Sequence, residues 1–166
     1  MLSFLPDYLF PAITDISPDF LQHYGYRLVL LDYDNTMLPY TSNTPSPALL
    51  RWIDRMKRAG VTLCIVSNSR KPRVPDFCKQ HNIACVTRAR KPGRKGIREA
   101  LARFGVPKEQ TVLIGDQIYT DVLGANCAGI TSVHVRSIHN HNFWLKARHL
   151  LEVPFLAIAR KRRVQP

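Results

Sequence analysis

The segment Asp32-Tyr33-Asp34-Asn35-Thr36 sets two carboxylates two residues apart, directly behind the apolar run RLVLL at 27–31. On an extended chain, side chains at i and i+2 project to the same side, so Asp32 and Asp34 can address one substrate from neighbouring positions. An aspartate that attacks phosphorus forms an aspartyl-phosphate, and a second carboxylate can protonate the leaving oxygen and then activate water. Such a nucleophile needs a hard cation to offset repulsion from the phosphate oxygens. Asp32 and Asp116 are the carboxylates that can hold Mg²⁺ together. Ser67 offers a hydroxyl to a phosphate oxygen, and Lys91 offers the positive charge that steadies the transferring group. Taken singly, each residue has an ordinary use: Asp, Asn and Thr make turns, Ser caps helices, and Lys is common on surfaces. Their order at successive strand ends carries the chemistry.

Those strand ends follow from the pattern of apolar runs. The runs at 27–32, 61–66, 83–86, 111–114 and 130–135 read as buried strands. Helices are expected between them. One opens at Ser46-Pro47 with Leu49, Trp52, Ile53 and Met56 as its apolar stripe and ends at Gly60. Others lie around 76–81, over 93–104 and over 119–128. Strictly alternating strands and helices predict an α/β fold, a parallel sheet covered on both faces, with ligands at the carboxyl ends of its strands. Asp32, Ser67, Lys91 and Asp116 all fall there. Only nine residues separate Thr36 from Ser46, and a helix and a strand fill the gap from Lys91 to Asp116, so no cap domain is expected.

At 166 residues the chain suits one domain, with a core at about 27–135, an N-terminal segment 1–26 and a tail 136–166. The net charge of +12 is unevenly distributed: residues 51–110 hold 16 basic against 4 acidic side chains, whereas 1–50 hold 1 against 5. A basic block of this kind suits phosphates, anionic lipid head groups or RNA, and equally the solvated faces of helices. Cys64, Cys78, Cys85 and Cys127 form no CxxC pair, which points to free thiols and a reducing, cytoplasmic setting. The stretch 1–16 is apolar but broken by Pro6 and Pro11, so it does not read as a signal peptide. His134, His139, His141 and His149 raise a zinc reading, but no nearby cysteine or carboxylate completes the coordination. The tail from Phe143 mixes apolar and basic residues, which suits either peripheral contact with a membrane or docking on the sheet.

Asp32-x-Asp34-x-Thr36, Ser67, Lys91 and Gly115-Asp116-x4-Asp121 together resemble the four ordered motifs of the haloacid dehalogenase (HAD) superfamily. The resemblance implies a Rossmann-like three-layer fold with strand order 5-4-1-2-3. It also implies Asp32 as nucleophile and Asp34 as acid/base, with the backbone carbonyl of Asp34 joining Asp32 and Asp116 on magnesium. Thr36, Ser67, Asn68 and Lys91 are then phosphate-binding, and Asp121 supports the site through water or Asn68. More narrowly, FLPDY, DISPDFL, LDYDNTM, VSNS, ARKPG and GDQIYTDVLGAN are similar to the YqeG family of small phosphatases. Met37 stands where leucine is usual. That family is similar in turn to mitochondrial phosphatidylglycerophosphate phosphatases, which implies a phosphorylated substrate, a phospholipid among the candidates. The second reading, from a different class, is an RNA- or ribosome-associated binding protein using the basic surface of 51–110.

Overall fold

The computed structural model describes residues 3–138 together with Phe155 and Ile158. His139, His141, His149 and most of the apolar-basic tail lie outside the described residues. In chain order the main elements are β1 (Tyr8–Phe10), α1 (Pro18–His23), β2 (Leu28–Leu31), α2 (Pro47–Arg58), β3 (Thr62–Val66) and α3 (Arg73–Gln80). They continue with β4 (Ala84–Val86), α4 (Lys95–Phe104), β5 (Thr111–Gly115), α5 (Leu123–Ala128) and β6 (Thr131–Val135).

All strand pairs are parallel, in one six-stranded sheet of order β1-β6-β5-β2-β3-β4. The five strands expected from the sequence therefore stand in the expected order, and β1 is added at the edge beside β6. This strand belongs to the N-terminal segment 1–26, outside the core expected at about 27–135. It is only three residues long and lies between Pro6 and Pro11, so no alternating pattern could reveal it. Pairing is set by Asp7: its backbone N–H donates to the Ser132 carbonyl at 3.0 Å, and its carboxylate accepts from Ser132 N and Oγ, both at 2.8 Å.

The central strands are buried on both faces, and their alternate side chains enter two different cores. Val29, Leu31, Leu63, Ile65, Val112 and Ile114 pack with Leu49, Trp52, Ile53 and Met56 of α2 and with Phe20 and Phe77. Leu28, Leu30, Cys64, Val66 and Leu113 face Ile97 and Ala100 of α4 and Ala125 and Ala128 of α5. The sheet is thus the middle layer of three, and its rigidity is what positions the site. Ser46 caps α2 by accepting from Leu49 N at 3.1 Å, with Pro47 in the first turn, where a missing N–H costs nothing.

Two helices depart from their expected bounds. The helix expected around 76–81 begins earlier, at Arg73, because Pro72 sits at its cap and Pro75 in its first turn, both positions that tolerate proline. The helix expected from Tyr119 starts instead as a single π-turn, Ile118–Val122, that runs into α5. All four cysteines are free; Cys64 and Cys78 are buried, and burial pushes the Cys64 thiol up to about 12. Phe155, from the tail, packs its ring 5.2 Å from Phe4 and 6.3 Å from Tyr119. Among the described residues no helix is long and apolar enough to cross a membrane.

Candidate active site

Beyond β2 the chain continues straight for one residue, as Asp32 N donates to the Ile114 carbonyl at 2.9 Å, and then folds back on itself. The reversal turns on Asn35, whose φ of 63° lies in the left-handed region that asparagine tolerates better than most residues. Its N–H donates to the Leu38 carbonyl at 2.7 Å, and its side-chain oxygen accepts from Tyr40 N at 3.0 Å. The tight return carries the Thr36 hydroxyl to 3.2 Å from Asp32 Oδ2 and 3.1 Å from Asp116 Oδ1. With one proton, Thr36 donates to one of these carboxylates at a time.

The next two strand ends deliver Ser67 and Lys91. Ser67 is buried, and its hydroxyl oxygen accepts from Ser69 N at 3.1 Å, which leaves its own proton to serve another acceptor. Asn68 is engaged with the backbone of Lys91: Lys91 N donates to Asn68 Oδ1 at 2.7 Å, and Asn68 Nδ2 donates to the Lys91 carbonyl at 2.9 Å. This two-bond clasp fixes the Lys91 stem. The ammonium then lies 2.8 Å from Asp32 Oδ1 and 2.6 Å from Asp121 Oδ1, with its side chain 1% exposed. Burial works against the charged ammonium, but the carboxylates of Asp121 and Asp32 outweigh it and hold the Lys91 pKa above the usual lysine range.

Asp116 follows β5, and Asp121 lies in the π-turn, where irregular helical hydrogen bonding is common near functional groups. Asp121 Oδ2 accepts from Gln117 N at 3.1 Å. The carboxyl can approach the strand so closely only because residue 115 is glycine. A Cβ built there would lie 2.4 Å from Asp121 Cγ and Oδ2. Gly115→Ala is therefore expected to displace Asp121, lower the melting temperature by roughly 5 °C and reduce activity, as read by thermal unfolding and a phosphatase assay.

Asp32, Asp116 and Asp121 each offer an oxygen, and these oxygens all lie within 4.8 Å of one another. Burial, then the charges of Asp32 and Asp121, push the Asp116 carboxyl well above its ordinary range, with the Thr36 hydroxyl, 3.1 Å away, acting the other way. Burial likewise raises Asp121 to about 6, against the pull of Lys91. Three crowded carboxylates face one ammonium, and their all-oxygen donor set is the kind that hard divalent cations such as Mg²⁺ take. The residues present therefore fit a metal. Asp121, expected to support the site through water or Asn68, offers an oxygen to the carboxylate cluster and is salt-bridged to Lys91.

Asp34 stands apart from this cluster. Burial raises its pKa, and the guanidinium of Arg73, 3.5 Å from Oδ1, opposes the rise. Arg73 carries no distinguishing signal in the sequence, being one of 16 basic residues in 51–110.

The family described as HAD-hydrolase-like matches residues 88–147, a span that includes Lys91, Asp116 and Asp121. The chain is 36% identical over 132 residues to the probable phosphatase YqeG of Bacillus subtilis, covering 80% of this chain and 77% of that protein. It is 24% identical over 148 residues to the glyceraldehyde 3-phosphate phosphatase of Pyrococcus furiosus, spanning 75% of this chain and 61% of that one. Its fold is shared by the cobalt-bound form of deoxy-D-mannose-octulosonate 8-phosphate phosphatase from Haemophilus influenzae. There the TM-score is 0.56 and the identity 17%, covering 82% of this chain and 92% of the other. The carboxylate cluster lies at the carboxyl ends of a parallel sheet, where open α/β folds bind their ligands. The chain belongs to the HAD-like hydrolases and, within them, to the YqeG family.

Proposed function

We propose that this chain, acting as one domain over 1–166, is a Mg²⁺-dependent phosphomonoesterase that works through an aspartyl-phosphate. The observation that carries the reading is the convergence of Asp32, Asp116 and Asp121 within 4.8 Å, with Lys91 Nζ bonded to Asp32. Asp32 is the nucleophile. As its oxygen bonds to phosphorus and the ester P–O bond breaks, Asp34 gives its proton to the departing oxygen, then takes a proton from the water that opens the aspartyl-phosphate. Lys91, Ser67 and Thr36 receive the phosphate oxygens, and Asn68 supports them by holding Lys91. Asp32, Asp116 and the Asp34 carbonyl would hold Mg²⁺, with Asp121 close enough to support them. The chemistry magnesium supplies when bound is neutralisation of the charge crowded between carboxylate and phosphate oxygens.

Among the described residues, neither the connection at 32–46 nor that at 87–94 contains an inserted helix or a strand of two or more residues. Exposed Arg70, Lys71, Arg88, Arg90, Arg94 and Lys95 lie on the loops leaving β3 and β4 and at the start of α4, beside the same strand ends. An open edge with a basic rim suits a phosphate presented on a larger anionic body. The family's resemblance to mitochondrial phosphatidylglycerophosphate phosphatases favours phosphatidylglycerophosphate as that body, met by a cytoplasmic protein touching the membrane peripherally. Purified protein is expected to hydrolyse an aryl phosphate with Mg²⁺ and to lose at least about 100-fold in rate on chelation. Phosphatidylglycerophosphate in anionic vesicles should be the best substrate in a panel that includes glyceraldehyde 3-phosphate and nucleotides. A strong preference for a small phosphate overturns the lipid assignment. Salt-sensitive RNA binding with no hydrolysis of any ester overturns the enzyme.

A further inference from the structure

Arg73 occupies the first position of α3, yet its side chain does not follow the solvated course usual for a basic residue at a helix start. That side chain is 10% exposed, and its guanidinium lies across the loop that follows the Asp34 turn. One nitrogen, Nη1, donates to the Tyr40 carbonyl; the other, Nη2, donates to the carbonyls of Pro39 at 3.1 Å and Ser42. The guanidinium carbon sits 5.1 Å from the centre of the Tyr33 ring and 6.0 Å from that of Tyr40. A planar, forked cation bonded to three carbonyls cannot swing away without stranding all of them. Lys71 adds a second tie to the same loop, with Nζ 2.6 Å from the Tyr40 hydroxyl.

Within this clamp, Arg73 Nη1 stands 3.5 Å from Asp34 Oδ1. That oxygen is sealed from solvent and takes no hydrogen bond. The Asp34 side chain as a whole is nevertheless 21% exposed, so its accessible part is the Oδ2 side. The two oxygens of the carboxyl are therefore inequivalent. One faces a fixed cation that is too far to donate to it, and the other faces outward.

We propose that Arg73 is a positioning residue for the hydrolysis, which orients Asp34 by holding Oδ1 inward against its guanidinium and pinning the loop 39–42, so that Oδ2 presents the proton to the leaving oxygen. The proposal rests on the reading of Asp34 as the acid. In that step the Asp32–phosphorus bond forms, the ester P–O bond breaks, the proton of Asp34 Oδ2 passes to the departing oxygen, and Asp34 remains as a carboxylate beside Arg73. No second proton donor is required.

An acid out of position matters most for an ester whose alcohol departs poorly without a proton, and least for one whose alcohol departs as a stable anion. The test compares kcat/KM, which covers steps up to release of the alcohol, for an alkyl phosphate and 4-nitrophenyl phosphate. It uses wild type, Arg73→Met, Arg73→Lys and Asp34→Asn, each checked by thermal unfolding. Arg73→Met is expected to lose about 100-fold on the alkyl ester and less than about 5-fold on the aryl ester, the pattern of Asp34→Asn. Arg73→Lys, which keeps the charge and the stem and so guards against a variant that does not fold, should lose less with the same selectivity. Inhibition by inorganic phosphate should be unchanged. Equal losses on both esters in the folded variants make Arg73 a purely structural clamp, and weakened phosphate inhibition makes it a phosphate ligand; either overturns the proposal. A wild type inactive on both esters, with Mg²⁺ present, overturns the phosphatase reading itself and this proposal with it.

Discussion

Asp32→Asn is expected to abolish turnover, lowering kcat by at least about 10⁴-fold, because in the proposed reaction an amide oxygen cannot form the aspartyl-phosphate. Asp34 is the nearest alternative in sequence, but its Oδ1 is turned towards Arg73. The variant should nonetheless fold. Asparagine is close to isosteric with aspartate, and Lys91 keeps its 2.6 Å partner, Asp121. Asp32 is also one of the charges that push the carboxyl of Asp116 upward, after burial itself. Removing it relieves repulsion, so the metal-free variant is expected to melt at the wild-type temperature or slightly above it, as happens when an active site has stored unfavourable charge. Hydrolysis of an aryl phosphate, with thermal unfolding in chelator run beside it, checks both halves. Undiminished hydrolysis would remove Asp32 from the chemistry, and a folded but inactive protein would leave it at the centre.

What the chain order revealed, and what it concealed, follows from which residues carry a local signal. Strands buried on both faces leave unbroken apolar runs, so the ends that hold Asp32, Ser67 and Asp116 were readable, and with them the converging edge of the sheet. β1 left no such trace, since three residues between two prolines pair through Asp7 and Ser132, 125 positions apart. The resemblance implies a phosphate-binding role for Asn68; only the folded chain shows its amide spanning 23 positions to the backbone of Lys91. The position of Asp121 among the carboxylates depends on a π-turn and on the bare backbone of Gly115, neither of which spacing alone could foretell. Arg73 was hidden for the opposite reason: in a block rich in arginine its charge is unremarkable, and its meaning lies in three carbonyls some 30 positions earlier.

Lys91→Met is expected to have the largest effect on stability as well as to inactivate the protein. The ammonium is buried and bonded at 2.8 Å and 2.6 Å to two carboxylates, and it is the cation that sits directly on Asp32 and Asp121. Its loss leaves three buried acids crowded together with no ammonium between them, and breaking a buried pair from one side costs about 3–5 kcal/mol. In a chain of this size that corresponds to a melting temperature lower by roughly 10 °C or more. The sign of the pH dependence follows from Asp121. Its folded-state pKa is raised to about 6, above the ordinary aspartate range, so at neutral pH the ionised form is held at a cost, and stability increases as pH falls through the folded value. Without Lys91 that value moves higher still, so the metal-free variant should gain more stability than wild type between neutral pH and pH 5. Millimolar Mg²⁺ should also recover part of the lost melting temperature by supplying positive charge to the same oxygens, yet it should not recover turnover. In the proposed reaction the ammonium, on a stem whose backbone Asn68 clasps, receives the phosphate oxygens, a role that a cation bound among the carboxylates does not fill. A variant whose stability and activity returned together would show that Lys91 serves only to balance charge.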